Sequence, residues 1–317
     1  YERAFPGGAL QSNFNLMYRV AARFKDPEAQ AIAERYASFG HSNLEEYWTL
    51  LWRDPALKPA PMTAFPLQHH FKDMGVYYYR TSWEKDALAF AFKAGPPEGH
   101  RVSTLLSEVP EWSLDSGHAH PDAGSFIIWA NGRYLTGDTG YAGLPTARNH
   151  NTVTFGGVGQ GVEGNHDVWR GAPYAGFDGI RIREVKAAGA RVTLEADLAA
   201  AYPKAASLGA FTRTFTFDGS AGFTVSDRLT LREPTSIEWR LQSDTPFEVA
   251  RPGVYRNGAG VAIEAFVTDP KAAEVIRGVG KLKVPGPPGS ITTGPEEDRG
   301  HVLTVKTNAP AGEARIA

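Results

Sequence analysis

Between Phe211 and Gly219 the chain reads Phe-Thr-Arg-Thr-Phe-Thr-Phe-Asp-Gly. Large apolar and small polar residues alternate and then stop at Asp-Gly, the pattern of a half-buried strand entering a hairpin. Phe223 to Leu231 supplies the returning strand. Ser125 to Trp129 does the same ahead of Asn131-Gly132, so a second hairpin is predicted there. Further strand-length runs cover Val76 to Trp83, Ala87 to Lys93, Ser236 to Leu241, Val261 to Val267 and His301 to Val305, divided by Gly, Pro and Asp clusters. So many short strands at this spacing predict a mostly β fold, a large antiparallel β-sandwich. The Pro-rich stretch from Val284 to Gly300 is expected to be an exposed loop.

The start of the chain follows a different period. Asp26, Pro27 and Glu28 form a helix-start signal ahead of the Ala-rich stretch Ala29 to Ala37. Ser42 and Glu45 make a capping box, with Leu44, Tyr47, Trp48 and Leu51 at helical spacing behind it. Two or three short helices cannot enclose a core, so they are expected to be the remnant of a larger helical domain. Pro55, Pro59, Pro61 and Pro66 mark the linker, which divides the chain into residues 1–57, helical, and 58–317, the sandwich. The first residue is Tyr1 rather than Met, from which a processed product or a piece of a longer protein is expected.

Composition narrows the chemistry. With no cysteine, disulfides and thiolate ligands are excluded, so a transition-metal site would have to use His and carboxylate. A net charge of −2 without a run of Lys or Arg gives no footprint for nucleic acid or an anionic membrane. No apolar segment reaches the roughly 20 residues of a membrane span.

The histidines concentrate between Gly117 and Trp169. In an extended His118-Ala119-His120 both imidazoles point to the same side. Asp138 follows the return strand of the Asn131-Gly132 hairpin, and His150 arrives from the next loop. Imidazoles and a carboxylate from neighbouring segments are a donor set zinc accepts. Asp122, in a Pro-Asp-Ala-Gly turn, is an alternative carboxylate, and a plain reading of hydrogen-bonded histidines and turn aspartates stays open beside the metal one.

The blocks HHFKDMGVYYYRTSW (His69 to Trp83), FKAGP, GHAHPDAGSF, GDTGY, RNHNTV and GGVGQ resemble, in order, the β-sandwich of heparinase II/III-type polysaccharide lyases, nearest the alginate-lyase and exo-acting branch. The resemblance runs from about Phe65 to Trp169. It implies an α/α toroid ahead of the sandwich, on the same or a separate polypeptide, with the initial helices as its C-terminal remnant. It further implies that His118 is catalytic and that His120, Asp138 and His150 hold a zinc ion that is structural within the site. The substrate implied is a uronic-acid-containing polysaccharide or oligosaccharide, such as alginate or a glycosaminoglycan. The reaction is β-elimination, in which loss of the C5 proton and expulsion of the C4 oxygen leave an unsaturated uronate end.

Tyr141 and Arg148 are candidate substrate contacts, Arg148 through its bidentate fork. Gln160, with His166 and Trp169 in the same Gly-rich loop, is a candidate wall of the sugar cleft, loop packing being the plainer role for the last two. The family's catalytic tyrosine and a further histidine belong to the toroid, ahead of this chain's helices, so the isolated chain is expected to be inactive or feeble. Periplasmic or secreted localisation is implied by the resemblance alone. Two rival readings are a non-catalytic carbohydrate-binding sandwich and a cupin-type metal oxygenase, the latter weakened because the Glu usual after His-x-His is absent.

Overall fold

A computed structural model describes residues 14–38, 46–109, 111–112, 119–140, 144–162, 167–172, 174–219, 222–258, 264–266, 273–285, 293–308 and 310–316. The chain divides into two compact units, one of Tyr1–Leu67 with Ser82–Glu84, the other of Gln68–Thr81 with Lys85–Ala317. The division thus falls beyond the Pro-rich stretch, which joins the helical unit.

The first unit contains helices α1 (Phe14–Phe24), α2 (Pro27–Ser38) and α3 (Glu46–Trp52). Asp26 caps α2 as its sequence predicts, with Oδ1 accepting from the backbone N–H groups of Glu28 at 2.8 Å and Ala29 at 3.1 Å. Tyr18 and Ala33 form a small core, with Met17 and Trp52 packed on it. The Ser42–Glu45 capping box lies outside the described residues. Among the described residues no helix is long and apolar enough to cross a membrane.

In the second unit the strands run β1 (Gln68–Phe71), β2 (Val76–Arg80), β3 (Ala89–Lys93), β4 (Phe126–Ala130), β5 (Arg133–Thr136) and β6 (Val153–Phe155), with helix α4 (His100–Glu108) between β3 and β4. Then come β7 (Arg181–Ala188), β8 (Arg191–Asp197), β9 (Leu208–Asp218), β10 (Phe223–Thr235) and β11 (Ile237–Ser243). The last are β12 (Phe247–Arg251), β13 (Val254–Asn257), β14 (Glu264–Phe266), β15 (Ala273–Pro285), β16 (Thr293–Thr307) and β17 (Ala311–Ile316). They pair antiparallel in sheets ordered β1-β2-β3-β4-β5, β17-β10-β9-β8-β7, β15-β16-β11-β6 and β12-β13-β14. The mostly β, antiparallel expectation holds.

Alternation makes the sandwich. Tyr77, Tyr79, Phe90, Phe92, Phe126 and Ile128 point inward from the first sheet and meet Phe215 and Phe217 of β9, with Phe90 and Phe215 ring centres 5.0 Å apart. Along β9, Phe211, Arg213, Phe215 and Phe217 are buried while the threonines between them are half-exposed. Both predicted hairpins form. At the β4–β5 turn Asn131 and Gly132 have φ of 50° and 76°, the left-handed pair that a two-residue hairpin demands.

One expectation fails, and one element has no counterpart among those predicted. The region expected to be a loop from Val284 to Gly300 is strand from Thr293 onward, where β16 pairs with β15 in a long hairpin whose register sets Lys281 opposite Asp298. Helix α4 was not anticipated at all.

Candidate functional site

The segment leading into β4 carries His120 and Asp122, and side chains from distant parts of the sandwich hold its backbone. Trp169 donates from Nε1 to the Ala119 carbonyl at 3.0 Å. Gln160 grips Ala123 twice, accepting from its N–H at 2.9 Å and donating to its carbonyl at 2.7 Å. Gly124 has a φ of 83°, and a Cβ there would fall 2.5 Å from Leu198 Cδ1, so only glycine fits.

Asp138 follows β5, with Oδ1 accepting from the Gly140 N–H at 2.8 Å. His150 ends a short 3₁₀ turn, Ala147–Asn149, which Thr146 and Asn149 cap reciprocally. These elements bring three predicted site residues together. The rings of His120 and His150 have centres 5.2 Å apart, and Asp138 Oδ2 lies 3.7 Å from His150 Nδ1. Asp122 lies close enough to both imidazoles to act on their charge, and its Oδ1 receives Lys93 Nζ at 2.6 Å.

Burial sets the protonation states. His120, only 7% exposed, is pushed down to about 4, first by loss of water and then by the neighbouring His150. His150 is likewise lowered by burial, against the pull of Asp138 and Asp122. Burial alone would raise Asp122, but Lys93 and the two histidines hold its carboxyl below the usual range. The pocket therefore contains neutral imidazoles beside an ionised carboxylate, the forms a divalent cation binds.

Two distances fit such an ion. With metal–nitrogen bonds of about 2.1 Å, two imidazoles on a tetrahedral ion would have ring centres about 5 Å apart, and a nitrogen and a carboxylate oxygen would be about 3.4 Å apart. The other ring nitrogen of His150, Nε2, is turned away from the one that faces Asp138 and is buried with no hydrogen-bond partner among the described residues. Against this, no group of three or more His, Asp or Glu side chains among the described residues stands gathered as a ready cage. The fit therefore rests on the two imidazoles and the adjacent carboxylate.

Of the remaining predicted residues, His118, Tyr141 and His166 lie outside the described residues. Arg148, two residues before His150, is exposed, with Nη2 donating to the Gly157 carbonyl at 3.4 Å and its charge felt by Glu238. Gln160 is fully buried, its amide committed to Ala123 and to the Tyr202 hydroxyl, so in this conformation it braces the His120 segment from beneath. Trp169 is buried too and packs the same segment.

The core of this bracing is a buried ion pair outside the predicted site residues. Arg213 grips Asp227 with two hydrogen bonds, Nε to Oδ1 at 2.7 Å and Nη2 to Oδ2 at 2.6 Å. Its Nη1 donates to the carbonyls of Gly124 at 2.7 Å and Asn151 at 2.8 Å, so one guanidinium ties the backbone beside both histidine-bearing segments. Asn151 extends the tie to Phe126 and Gly137 through its amide. The signal was visible: Arg213 lies in phase with Phe211, Phe215 and Phe217, an inward position where a charge needs a partner.

Comparison with known proteins agrees with this architecture. The family described as heparinase II/III-like, C-terminal, matches residues 66–277. Among solved structures, a heparinase III has a TM-score of 0.60 at 14% identity, over 98% of this chain and 42% of its own. The heparan sulfate lyase HepC from Pedobacter heparinus has a TM-score of 0.56 at 19% identity, over 96% of this chain and 40% of its own. A heparinase III gene product with methylated lysines has a TM-score of 0.57 at 18% identity, over 96% and 40%. At these identities the likeness is one of fold, and the chain spans about 40% of the length of these structures. Among curated protein sequences none matches. With two thirds of its length matched by the family and the same sandwich in its solved neighbours, the chain belongs to the heparinase II/III-like family, of which it carries the C-terminal domain.

Proposed function

We propose that this domain forms the sandwich side of a polysaccharide lyase active site that cleaves a uronic-acid-containing polysaccharide or oligosaccharide by β-elimination, leaving an unsaturated uronate end. The observation that carries the reading is the convergence of His120, Asp138 and His150 in a domain of the heparinase II/III-like family. His118 is assigned proton transfer or neutralisation of the substrate carboxylate, and Arg148 the pairing of its guanidinium with that carboxylate. His120, Asp138 and His150 are assigned to zinc. When bound, the ion would supply a fixed positive charge that pins their three segments. Tyr141 is assigned to the substrate side. Gln160 contributes by holding Ala123 and hence the His120 segment. The remaining groups would come from a toroid region on the same or a separate polypeptide, and the enzyme would act in the periplasm or outside the cell.

The lyase reading is tested by adding alginate, heparan sulfate and other uronans to the full-length protein and following ultraviolet absorbance of new unsaturated ends. Product from at least one is expected, and none from any of them would overturn the reading. For the metal, one zinc per chain is expected in the purified protein and its loss in His150→Ala. Iron together with oxygen-dependent turnover would favour a metal oxygenase instead.

A further inference from the structure

The second unit has another polar concavity, remote in sequence from the histidine-rich segment. A cavity of about 420 Å³ is lined by His70, Lys72, His100, Asp178, Arg181 and Arg183 with Ile182 and Val185. Its walls are the edge strands of two sheets, β1 and β7, closed by the first residue of α4 and by the 3₁₀ turn Tyr174–Gly179. That volume is in the range of small-ligand sites.

Its charge is unlike that of the chain as a whole, which is −2. Among the described residues that line it, Lys72, Arg181 and Arg183 accompany one carboxylate, Asp178, which is shared between His100 Nδ1 at 2.8 Å and Arg181 Nη2 at 3.7 Å, while Arg183 is also paired with Glu195 and Asp197 outside the lining. Lys72 is exposed and has no ion-pair partner among the described residues. Arg183 is in the cavity by virtue of a backbone irregularity. Ile182 pairs with Ala196 and Glu184 with Glu195, so Arg183 is the extra residue of a β-bulge, a device that re-aims a side chain. Glu195 and Asp197 lie behind it and hold its guanidinium in place.

We propose that this cavity is a second anion-binding site, taking a carboxylate or sulfate ester carried by an acidic saccharide. Cations on three separate backbone positions around one concavity attract an anionic group; Lys72 and the loosely paired Arg181 are available to it, Arg181 through a planar fork that matches carboxylate or sulfate oxygens, and Arg183 adds its charge from a guanidinium already held by Glu195 and Asp197. Among the described residues that line the cavity there is no Phe, Tyr or Trp to give the stacking that single-stranded nucleic acid relies on. The choice of a saccharide anion rests on the lyase reading above, and the cavity would hold a stretch of the same polymer outside the reacting unit.

The test uses the full-length protein and two defined oligosaccharides, one of unsulfated uronate and one sulfated, with binding measured by calorimetry at low and moderate salt. Arg181→Gln/Arg183→Gln is expected to weaken binding at least about tenfold and to flatten its salt dependence. Lys72→Gln, whose side chain has no structural partner to lose, is expected to weaken it a few-fold with unchanged thermal unfolding. The stronger of the two oligosaccharides identifies the anion. Binding by Lys72→Gln and by the double variant equal to that of the parent protein would overturn the proposal. Unsaturated product formed by the parent while these variants bind normally would sink the second site alone. Binding lost in the variants of a protein that forms no product would leave the site standing without the lyase.

Discussion

The two polar centres of the sandwich are built in opposite ways. Around His120 and His150 every brace is buried: Arg213 and Asp227 are 3% and 0% exposed at the side chain, and Gln160, Asn151 and Trp169 are inside with them. Around the β1–β7 cavity the charges stand half in water, with Arg181 and Arg183 about half exposed. Buried hydrogen bonds hold a group in one place, and breaking one leaves a desolvated partner. Exposed ion pairs contribute little to stability and leave the charge available. The first centre is suited to holding donor atoms at fixed spacing, the second to attracting an anion.

That contrast can be broken most directly at Arg213. Arg213→Met should strand Asp227 in the core and cost about 3–5 kcal/mol in denaturant unfolding, with loss of the order that the guanidinium imposes on Gly124 and Asn151. A loss below about 1 kcal/mol would mean that the buried network is not what holds the site.

Acid titration of the metal-free protein is the next largest effect. His120 is held near 4 in the fold against 6.5 in an open chain, so between those values the unfolded state takes up the proton first. Its contribution is therefore complete above about pH 6.5, falls as pH drops, and is gone below about pH 4, a change of about 3 kcal/mol. His120→Gln should flatten that part of the stability–pH curve, and an unchanged slope would show that the burial is not maintained in solution.

Gln160→Leu keeps the volume but leaves the Ala123 N–H and carbonyl without their partners, for a loss of about 1–3 kcal/mol. The effect should reach the site by loosening the His120 segment, seen as weaker retention of the proposed zinc at equal folded fraction. At the other centre Lys72→Gln should change stability by less than about 0.5 kcal/mol. A larger loss there would erase the distinction between the two centres.

What could be read in the sequence was whatever is encoded locally. Asn131-Gly132 specifies its own turn, Asp26 caps the helix that follows it, and the Phe–Thr alternation of β9 declares its two faces. The lyase-like blocks likewise named the residues that converge at His120 and His150. What could not be read depends on partners far along the chain. Helix α4 starts after Pro96-Pro97-Glu98-Gly99, which reads as a turn with no capping side chain. Its cap is Asp73, whose backbone carbonyl accepts from the His100 N–H at 2.9 Å and whose Oδ1 accepts from the Arg101 N–H at 2.8 Å. The acidic stretch Glu296-Glu297-Asp298 reads as solvated loop because its partner strand, β15, lies across the Pro-rich segment and no local signal marks the pairing.

The bulge at Arg183 has a second effect, on how this protein behaves among copies of itself. Strand β7 is an outer strand, and a flat outer strand offers its backbone as a template for other chains. Charged side chains at Arg181, Arg183, Glu184 and Lys186, together with a break in the regular backbone between Ile182 and Glu184, deny a second chain an even row of hydrogen-bonding groups. The residues proposed to attract a saccharide are thus also guards against aggregation. Arg181→Gln/Arg183→Gln should self-associate more readily than the parent in sedimentation at high protein concentration, and restoring a single charge at either position should reverse most of that added association.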